Sequence, residues 1–467
     1  MEELTQSTRE LGISAAPSKS DVLTVSLPRE LIDMIFGFLD KPSLIICTLL
    51  SHSWHVSAQP YIFHTLTVKD DADEDSEISL EAFQLELQGH FCLRSVTYHT
   101  QHLSILGLPP GGEAGHVTIL QAFEVLIMLQ YLPKLRILQL KDIMIWQSPT
   151  HVPCPPPFPL DELILDGLGT DLRNPNVIPG KELDAPSSIV ELLNLFGPVR
   201  KLTISECDTV RSRDDDTRGF SPEDLNVPQA QAMAKWLAPT FRVREAFVSK
   251  RQLSLHEPFM HLLKSGGALE GLETMETDEA METASVFLEG IGHTLSHLHL
   301  TLDHYGPTEG EKYDLSSCSS LTSLHVTAIL NSRNSFGTFA LQAQMLLHAI
   351  LHSPPTTRRF TLEFYDDYHE FHTVFDEALN TVNNNEKIHW AALDRELAVK
   401  RQNVEVVDVV FRWMQRPHEH VEGVEQPAKY FMSKFMIRLI VRLPKLHTKK
   451  LLRWSFAAKD DPIETFP

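Results

Sequence analysis

The stretch VTILQAFEVLIMLQYLPKLRILQL, residues 117–140, decides the fold of most of this chain. Its first part, 117–132, has the apolar pattern of a buried helix, and Leu135, Leu138 and Leu140 then follow the order apolar-x-x-apolar-x-apolar. Residues two apart in a strand point to the same face, so Leu138 and Leu140 would be buried together. The stretch therefore predicts a helix followed by a short strand with one buried face.

The same apolar spacing recurs along the chain and predicts a series of short strands. The copies are Phe63/Leu66/Val68, Leu93/Val96/Tyr98, Leu135/Leu138/Leu140, Leu160/Leu163/Leu165, Val199/Leu202/Ile204, Val243/Ala246/Val248, Leu295/Leu298/Leu300, Leu321/Leu324/Val326, Phe360/Leu362 and Val404/Val407/Val409. Further helical patterns, at 189–196 and 281–291, precede individual copies. Helix and strand thus alternate along the chain.

This alternation, with internal self-similarity, is typical of a solenoid in which each unit buries its apolar face by stacking on the next. Successive strand starts are about 25 to 50 residues apart, whereas regular leucine-rich repeats run roughly 20 to 29. The sequence therefore predicts an irregular leucine-rich-repeat-like α/β solenoid.

A doubly wound α/β domain would also alternate strands and helices, and it would carry a glycine-rich phosphate loop after an early strand. The glycine groups at 107–112 and 265–271 have neither the G-x-G-x-x-G spacing nor the Walker lysine. Both groups indicate ordinary turns.

The N-terminal stretch LPRELIDMIFGFLDKPSLIICTLLSHSW, residues 27–54, predicts two short helices that are apolar on several sides. Pro28 suits a first helical turn, while Asp40 and Pro42 suit a cap and the turn after it. About 30 residues cannot bury so much apolar surface among themselves. The excess must pack against the rest of the chain or against another protein.

These residues resemble the F-box family. The resemblance rests on LPREL at 27–31, Phe38-Leu39, Ser43-Leu44, Cys47 and SHSW at 51–54. It covers about a tenth of the chain and implies a three-helix, all-α module over 24–64 that binds the Skp1 adaptor of a cullin-RING ubiquitin ligase. The adaptor-contact residues that it implies are Leu27, Pro28, Leu31, Ile32, Ile35, Phe36, Leu44, Leu50 and Trp54.

The resulting domain prediction has four parts. Residues 1–23 form a flexible N-terminal segment, 24–64 the F-box-like module, 65–428 the repeat-like substrate-recognition region, and 429–467 a basic C-terminal cap and tail. The whole chain is thus predicted to be α/β, with an all-α module at its start.

Composition narrows the classes of partner and the compartment. The 467 residues include 41 basic and 62 acidic ones, and the net charge of −21 disfavours nucleic acid and acidic membranes as partners. The five cysteines are scattered and form no C-x-x-C pair, which fits a reducing compartment. With no apolar signal core in the first 20 residues, we expect a cytosolic or nuclear protein.

No motif in the sequence indicates catalysis, a metal or a cofactor. The histidine pair of HLHL, His297 and His299, would alternate on the solvent-facing side of a strand. HEPFMH at 256–261 is not a zincin site, because its second histidine is at i+5, which turns away by about 140° on a helix. We therefore predict a chain with no catalytic, metal-binding or cofactor-binding residues.

The segment 429–453 contains eight Lys and Arg residues and no acid. Lys434, Arg438 and Arg442 are four apart, with apolar residues on the other sides, so the segment predicts a basic amphipathic helix. Contact with a membrane surface or an acidic partner is one interpretation. The preferred one is a terminal cap of the solenoid, because terminal repeats need a polar outer face.

Taken with the resemblance, these features predict a substrate-recognition subunit of an SCF ubiquitin ligase. Such a subunit binds the Skp1-type adaptor, and through it a cullin, with its F-box, and an unidentified protein substrate with its repeat region. It acts by proximity and is not itself an enzyme. The alternatives are a solenoid scaffold outside ubiquitin transfer and an unrecognised hydrolase.

Overall fold

The protein, seen in a computed structural model, forms two compact units. They are Met1–Ile62, the N-terminal unit, and Phe63–Pro467, the sheet unit. The structure describes residues 27–70, 80–88, 94–108, 118–146, 156–170, 186–205, 227–249, 256–278, 288–302, 315–330, 338–366, 390–413, 427–458 and 464–466. The predicted N-terminal segment 1–23 lies outside these ranges.

The described part of the N-terminal unit consists of three helices, α1 (Arg29–Phe38), α2 (Lys41–Thr48) and α3 (His52–Ile62). Pro28 directly precedes α1, and the predicted cap of α2 is confirmed, since Asp40 Oδ1 accepts a hydrogen bond of 3.1 Å from the Ser43 N–H. Ser51 Oγ accepts one of 3.2 Å from the Trp54 N–H at the start of α3. Side-chain oxygens thus satisfy N–H groups that a helix start leaves without partners.

Among the described residues of the sheet unit, a 13-stranded sheet dominates, with a second sheet of three strands. The strands are β1 (Thr65–Lys69), β2 (His102–Leu106), β3 (Thr118–Gln121), β4 (Ile137–Lys141), β5 (Ile143–Trp146), β6 (Phe158–Asp166), β7 (Gly169–Thr170), β8 (Phe196–Ser205), β9 (Arg242–Ser249), β10 (Thr274–Thr277), β11 (His297–Leu302), β12 (Ser323–Leu330), β13 (Arg359–Asp366), β14 (Val406–Trp413), β15 (Leu452–Ala458) and β16 (Glu464–Phe466).

The strands of the large sheet follow one another in chain order, with β3, β5 and β7 set apart in the small sheet. The first twelve, β1 to β15, are parallel, and only β16 runs antiparallel to its neighbour. Corresponding positions are separated by 23 residues between Glu276 and His299 and by 47 between Thr361 and Asp408. The spacing is therefore as irregular as the sequence predicts.

Helices in the sheet unit are α4 (Leu80–Gln88), α5 (Arg94–His99), α6 (Ala122–Tyr131), α7 (Ser188–Leu193), α8 (Val227–Met233), α9 (His256–Ser265), α10 (Thr338–Leu351), α11 (Trp390–Arg395), α12 (Pro427–Arg442) and α13 (Pro444–Thr448). A π-helical turn, Glu396–Lys400, follows α11. Apolar side chains of these helices and of one face of the large sheet form a continuous core, which includes Leu126, Leu138 and Leu140. The sheet's opposite face is mostly polar.

Nine of the ten predicted strand copies lie on strands of the large sheet and are confirmed. The copy Leu93/Val96/Tyr98 is wrong, because 94–99 form α5 and the strand is β2, which buries Leu103 and Ile105. The predicted helix at 117–132 begins with β3 and becomes helical only at Ala122. The pattern at 281–291 falls largely outside the described residues.

The basic segment predicted as a separate C-terminal part is integrated into the sheet unit. Its helix α12 begins at Pro427, and Phe435 packs between Phe364 of β13 and Phe411 of β14, with ring centroids 5.6 and 5.2 Å away. No division of the chain falls at 428. Across the described ranges, every helix is too short or too polar to cross a membrane.

Candidate functional site

The three helices of the N-terminal unit pack around Phe36, which is 1% exposed. The rings of Trp54 and Tyr61 meet the Phe36 ring edge-on, with centroids 5.3 and 5.8 Å away. The other buried apolar side chains of this unit are Leu44, Ala58 and Ile62. So small a core uses only part of the apolar surface of the helices.

Many other apolar side chains on the described helices of this unit face solvent, and Phe38 and Leu49 are 87% and 81% exposed. The exposed set, here called the N-terminal apolar surface, is Leu27, Leu31, Met34, Ile35, Phe38, Ile45, Ile46, Leu49, Leu50 and Val56. Fully burying one such side chain contributes about 1.5–3 kcal/mol. Ten of them within 27–56 are typical of a protein-interaction site.

The nine residues that the resemblance implies for adaptor contact fall into three groups. Leu27, Pro28, Leu31, Ile35 and Leu50 are exposed, and Ile32 and Trp54 are half-buried. Phe36 and Leu44 are buried in the core of the unit, so their side chains are not available to a partner. Their role is to hold the helices together.

Six residues of the N-terminal apolar surface were not among those nine: Met34, Phe38, Ile45, Ile46, Leu49 and Val56. The signal that could have found them is the apolar character on all sides of both helices. One side of each helix must face the small core, so the other side is left exposed. The sequence does not show which side this is until the helices are packed.

A second feature, which is polar, lies on the open face of the large sheet, across β10 to β13. The rings of His299 and His325 stack with centroids 3.8 Å apart. His299 Nδ1 lies 3.1 Å from Glu276 Oε1, and its Nε2 lies 2.8 Å from Thr327 Oγ1. His325 Nε2 lies 2.8 Å from Glu363 Oε2. We call these five residues the histidine cluster.

Burial and hydrogen bonding set the charges in the histidine cluster. Burial lowers the pKa of His325, so the ring is neutral near pH 7 and donates its Nε2 proton to Glu363. For Glu363, burial acts to raise the pKa but is outweighed by the hydrogen bond from His325 and by Arg412, whose Nε lies 2.7 Å from Oε1. For Glu276, burial also acts to raise the pKa, but the hydrogen bond with His299 outweighs it, so the pKa is lowered.

The Thr327 hydroxyl contacts the His299 imidazole, which in turn contacts the Glu276 carboxylate. Nucleophilic catalysis uses the same order of nucleophile, base and orienting acid. The Thr327 hydroxyl is attached to a central strand paired on both sides, by β11 and β13. Main-chain N–H groups beside it are used by the sheet and are not directed at a substrate oxyanion. The cluster therefore has part of the geometry for acyl transfer.

Metal-ligating side chains are not gathered into a site within the described ranges, where no group of three or more His, Cys, Asp or Glu residues could hold an ion. His297 and His299 do lie on the same side of β11, opposite the buried Leu298 and Leu300, as the sequence predicts. Two other close histidine pairs of the sequence, His369/His372 and His418/His420, fall outside the described residues.

Comparison of the chain with protein-family models and with curated protein sequences found no match to either.

Proposed function

We propose that this protein is the substrate-recognition subunit of an SCF-type E3 ubiquitin ligase. In this proposal α1 to α3 form an F-box that binds a Skp1-type adaptor, and the adaptor connects the chain to a cullin. The sheet unit, as an irregular leucine-rich-repeat-like solenoid, binds a protein substrate. The protein acts in the cytosol or the nucleus.

The observation that carries this proposal is the N-terminal apolar surface. Residues 27–56 expose ten large apolar side chains, although the described helices of this unit also enclose a small core around Phe36. The sequence markers of the F-box resemblance fall on the same helices, at 27–31, 38–39, 43–44 and 51–54. An apolar docking surface on a small helical unit is what binding to an adaptor requires.

The mechanism is proximity. A subunit that binds a substrate on one unit and the ligase on the other raises the local concentration of substrate near the ubiquitin-loaded enzyme. It supplies no acid, base, nucleophile or cofactor to the transfer. The residues that matter are then contact residues on the two units.

The test is co-purification of the full chain with a recombinant Skp1-type adaptor. Leu31→Asp combined with Leu50→Asp places charges in the N-terminal apolar surface without touching its core. We expect this variant to lose the adaptor while keeping its circular dichroism spectrum. The matched control is Leu85→Asp, since Leu85 is exposed on α4 of the sheet unit, and it should bind like the wild type.

Failure of the wild type to bind the adaptor, or equal binding by the double variant, would favour the alternative of a solenoid scaffold outside ubiquitin transfer. Such a scaffold would also gain nothing in soluble yield from co-expression with the adaptor. Both results are read from the same purification.

A second candidate, a hydrolase, is favoured by one observation, the Thr327–His299–Glu276 arrangement. It predicts that a fluorophosphonate probe labels Thr327 and that His299→Gln abolishes the labelling. The lack of a directed oxyanion donor beside Thr327 makes this the weaker candidate. An unlabelled wild-type chain would remove it.

A further inference from the structure

The open face of the large sheet carries side chains of neighbouring strands in rows. The strand register places Ile164 of β6, Thr203 of β8, Phe247 of β9 and Glu276 of β10 side by side in one such row. Neighbouring strands lie about 4.8 Å apart, so the row is about 14 Å long. We call these four residues the mixed strip, because apolar side chains and a carboxylate lie next to one another in it.

Two members of the mixed strip are apolar and yet do not belong to the core. Ile164 and Phe247 are half-buried, whereas their strand neighbours Leu163 and Val248 are buried in the continuous core, which includes neither Ile164 nor Phe247. Successive side chains of a strand point to opposite faces, so these two point to the open face. The described part of the chain leaves them partly accessible there, and a bound partner can bury them further.

The carboxylate of the mixed strip lies beside Phe247. The side chain of Glu276 is 41% exposed, and His299 Nδ1 lies 3.1 Å from its Oε1. Within the described part of the chain, neither lysine nor arginine is a direct partner of Glu276. Lys201 of β8 pairs instead with Glu162, at 2.7 Å. Since a carboxylate offers about four acceptor sites, Glu276 retains the capacity to bind a cation.

From this order of side chains we propose that the mixed strip binds an extended segment of a partner protein with two apolar residues and an arginine at alternate positions. Alternate residues of an extended chain lie on one side, about 6.6 Å apart, so three of them span about 13 Å and match the strip. The apolar residues contact Ile164 and Phe247, and the arginine pairs with Glu276. The inference rests on the proposed function in identifying this partner as the ligase substrate.

Charge favours an arginine-bearing segment over an acidic one. The chain has a net charge of −21, so its field attracts a basic segment and repels an acidic one. At the strip itself, Glu276 would repel a carboxylate, whereas the planar guanidinium of arginine can donate two parallel hydrogen bonds to it. The two apolar contacts then add the area that a single exposed ion pair lacks.

The test is fluorescence anisotropy of the full chain with a labelled peptide that has Leu at positions 3 and 5, Arg at position 7, and Gly or Ser elsewhere. The reversed sequence is assayed in parallel, because an extended chain can cross the strip in either direction. A control peptide of the same composition has Arg at position 6, which lies on the opposite side of an extended chain. We expect one of the first two peptides to bind more tightly than the control, and more weakly at about 300 mM than at about 50 mM salt, since exposed ion pairs are screened.

Variants assign the binding to the mixed strip. Phe247→Ser should weaken peptide binding about five- to tenfold, because it removes an apolar contact. Glu276→Gln should weaken it about two- to fivefold through loss of the ion pair, and should have no effect on a peptide with Gln in place of Arg. The matched controls Phe123→Ser and Glu81→Gln, at exposed positions of α6 and α4, should bind like the wild type.

Three results of these assays would overturn the proposal: no binding by either peptide, equal binding by the control peptide, or binding that Phe247→Ser leaves unchanged. Sedimentation velocity of the wild type tests a second copy of this chain as the occupant. Self-association that Phe247→Ser abolishes would identify that occupant and would also overturn the proposal.

The same peptide assay separates this inference from the ligase assignment. The variant with Leu31→Asp and Leu50→Asp should bind the peptide like the wild type, because both changes lie in the N-terminal unit. Peptide binding without adaptor binding would refute the ligase assignment and support the strip as a site for a partner. Adaptor binding without peptide binding would refute only the strip.

Discussion

Two phenylalanines of α1, two residues apart, have opposite roles. Phe36 is 1% exposed at the centre of the N-terminal unit, and Phe38 is 87% exposed at its surface. Phe36→Ala should destabilise this unit by about 3–5 kcal/mol because it leaves a cavity. Phe38→Ala should change its stability by less than about 0.5 kcal/mol. Limited proteolysis within 27–62 at increasing urea concentration measures both, and equal effects would contradict the packing described.

Asp394 joins two helices that are distant in sequence. Its buried carboxylate accepts hydrogen bonds from two N–H groups at the start of α13, more than 50 residues later. Asp394→Ala leaves both groups without this acceptor, at a cost of about 1–3 kcal/mol for each group that stays buried. Urea denaturation of the sheet unit measures the loss. Asp161→Ala, which breaks only a surface pair with Arg136, should be nearly neutral, and an equal loss there would refute the assignment.

At the residue scale, the sequence located the candidate site better than it assigned roles within it. The resemblance and the apolar excess both pointed to 27–54, where nine of the ten residues of the N-terminal apolar surface lie. Phe36 and Leu44 were expected to contact the partner, yet they are buried. A leucine or phenylalanine in such a helix can either be buried in the core or be exposed to a partner. The packing of α1 to α3 decides which side of each helix is buried.

The histidine cluster makes the stability of β10 to β14 dependent on pH. Burial lowers the pKa of His325 below the ordinary histidine value of 6.5 that applies when the chain is unfolded. Between the folded and unfolded pKa values the unfolded chain binds more protons, so the free energy of unfolding falls as the pH drops below about 6.5. The pKa values of Glu276 and Glu363 are also lowered, which extends this loss of stability below pH 4.5, the ordinary pKa of a glutamate.

Urea denaturation from pH 8 to 5 checks this dependence. His325→Gln should remove part of the slope below pH 6.5, because glutamine does not titrate. His352→Gln serves as the control, since His352 is exposed on the loop after α10. A slope that His325→Gln leaves intact would show that other groups cause the pH dependence.

Elements were predicted well where leucine or valine occupies each position of the strand pattern. At β2 the first position is Thr100, which is fully buried and donates its hydroxyl hydrogen bond to main-chain carbonyls, so the strand was missed. At β10 the last position is Thr277, which is also buried. Threonine can replace an apolar residue when its hydroxyl is satisfied, and a search for apolar residues alone cannot detect this.

At the scale of the whole molecule, the two units have separate cores. The continuous core of the sheet unit begins at Leu66 and includes no residue of α1 to α3. We therefore expect a chain that starts at Phe63 to fold without the N-terminal unit. Its circular dichroism spectrum and cooperative urea unfolding should match those of the sheet unit in the full chain. Aggregation or loss of cooperativity would show that the sheet unit needs the first 62 residues.

The alternation of helices with strands that bury one face predicted the sheet architecture. The number of strands in the sheet could not be predicted from the sequence. The strands β15 and β16 and the small sheet of β3, β5 and β7 were not predicted. Strands as short as β3, β5 and β16 leave little periodicity to detect, and two-residue β7 leaves none.

We propose above all that the N-terminal apolar surface binds a Skp1-type adaptor. Isothermal titration calorimetry of the full chain with that adaptor, at several temperatures, tests it most directly. We expect one-to-one binding with a negative heat-capacity change, because apolar surface is buried, and loss of binding when Leu31 and Leu50 are both changed to Asp. No binding, or a heat-capacity change that this variant leaves unaltered, would contradict it.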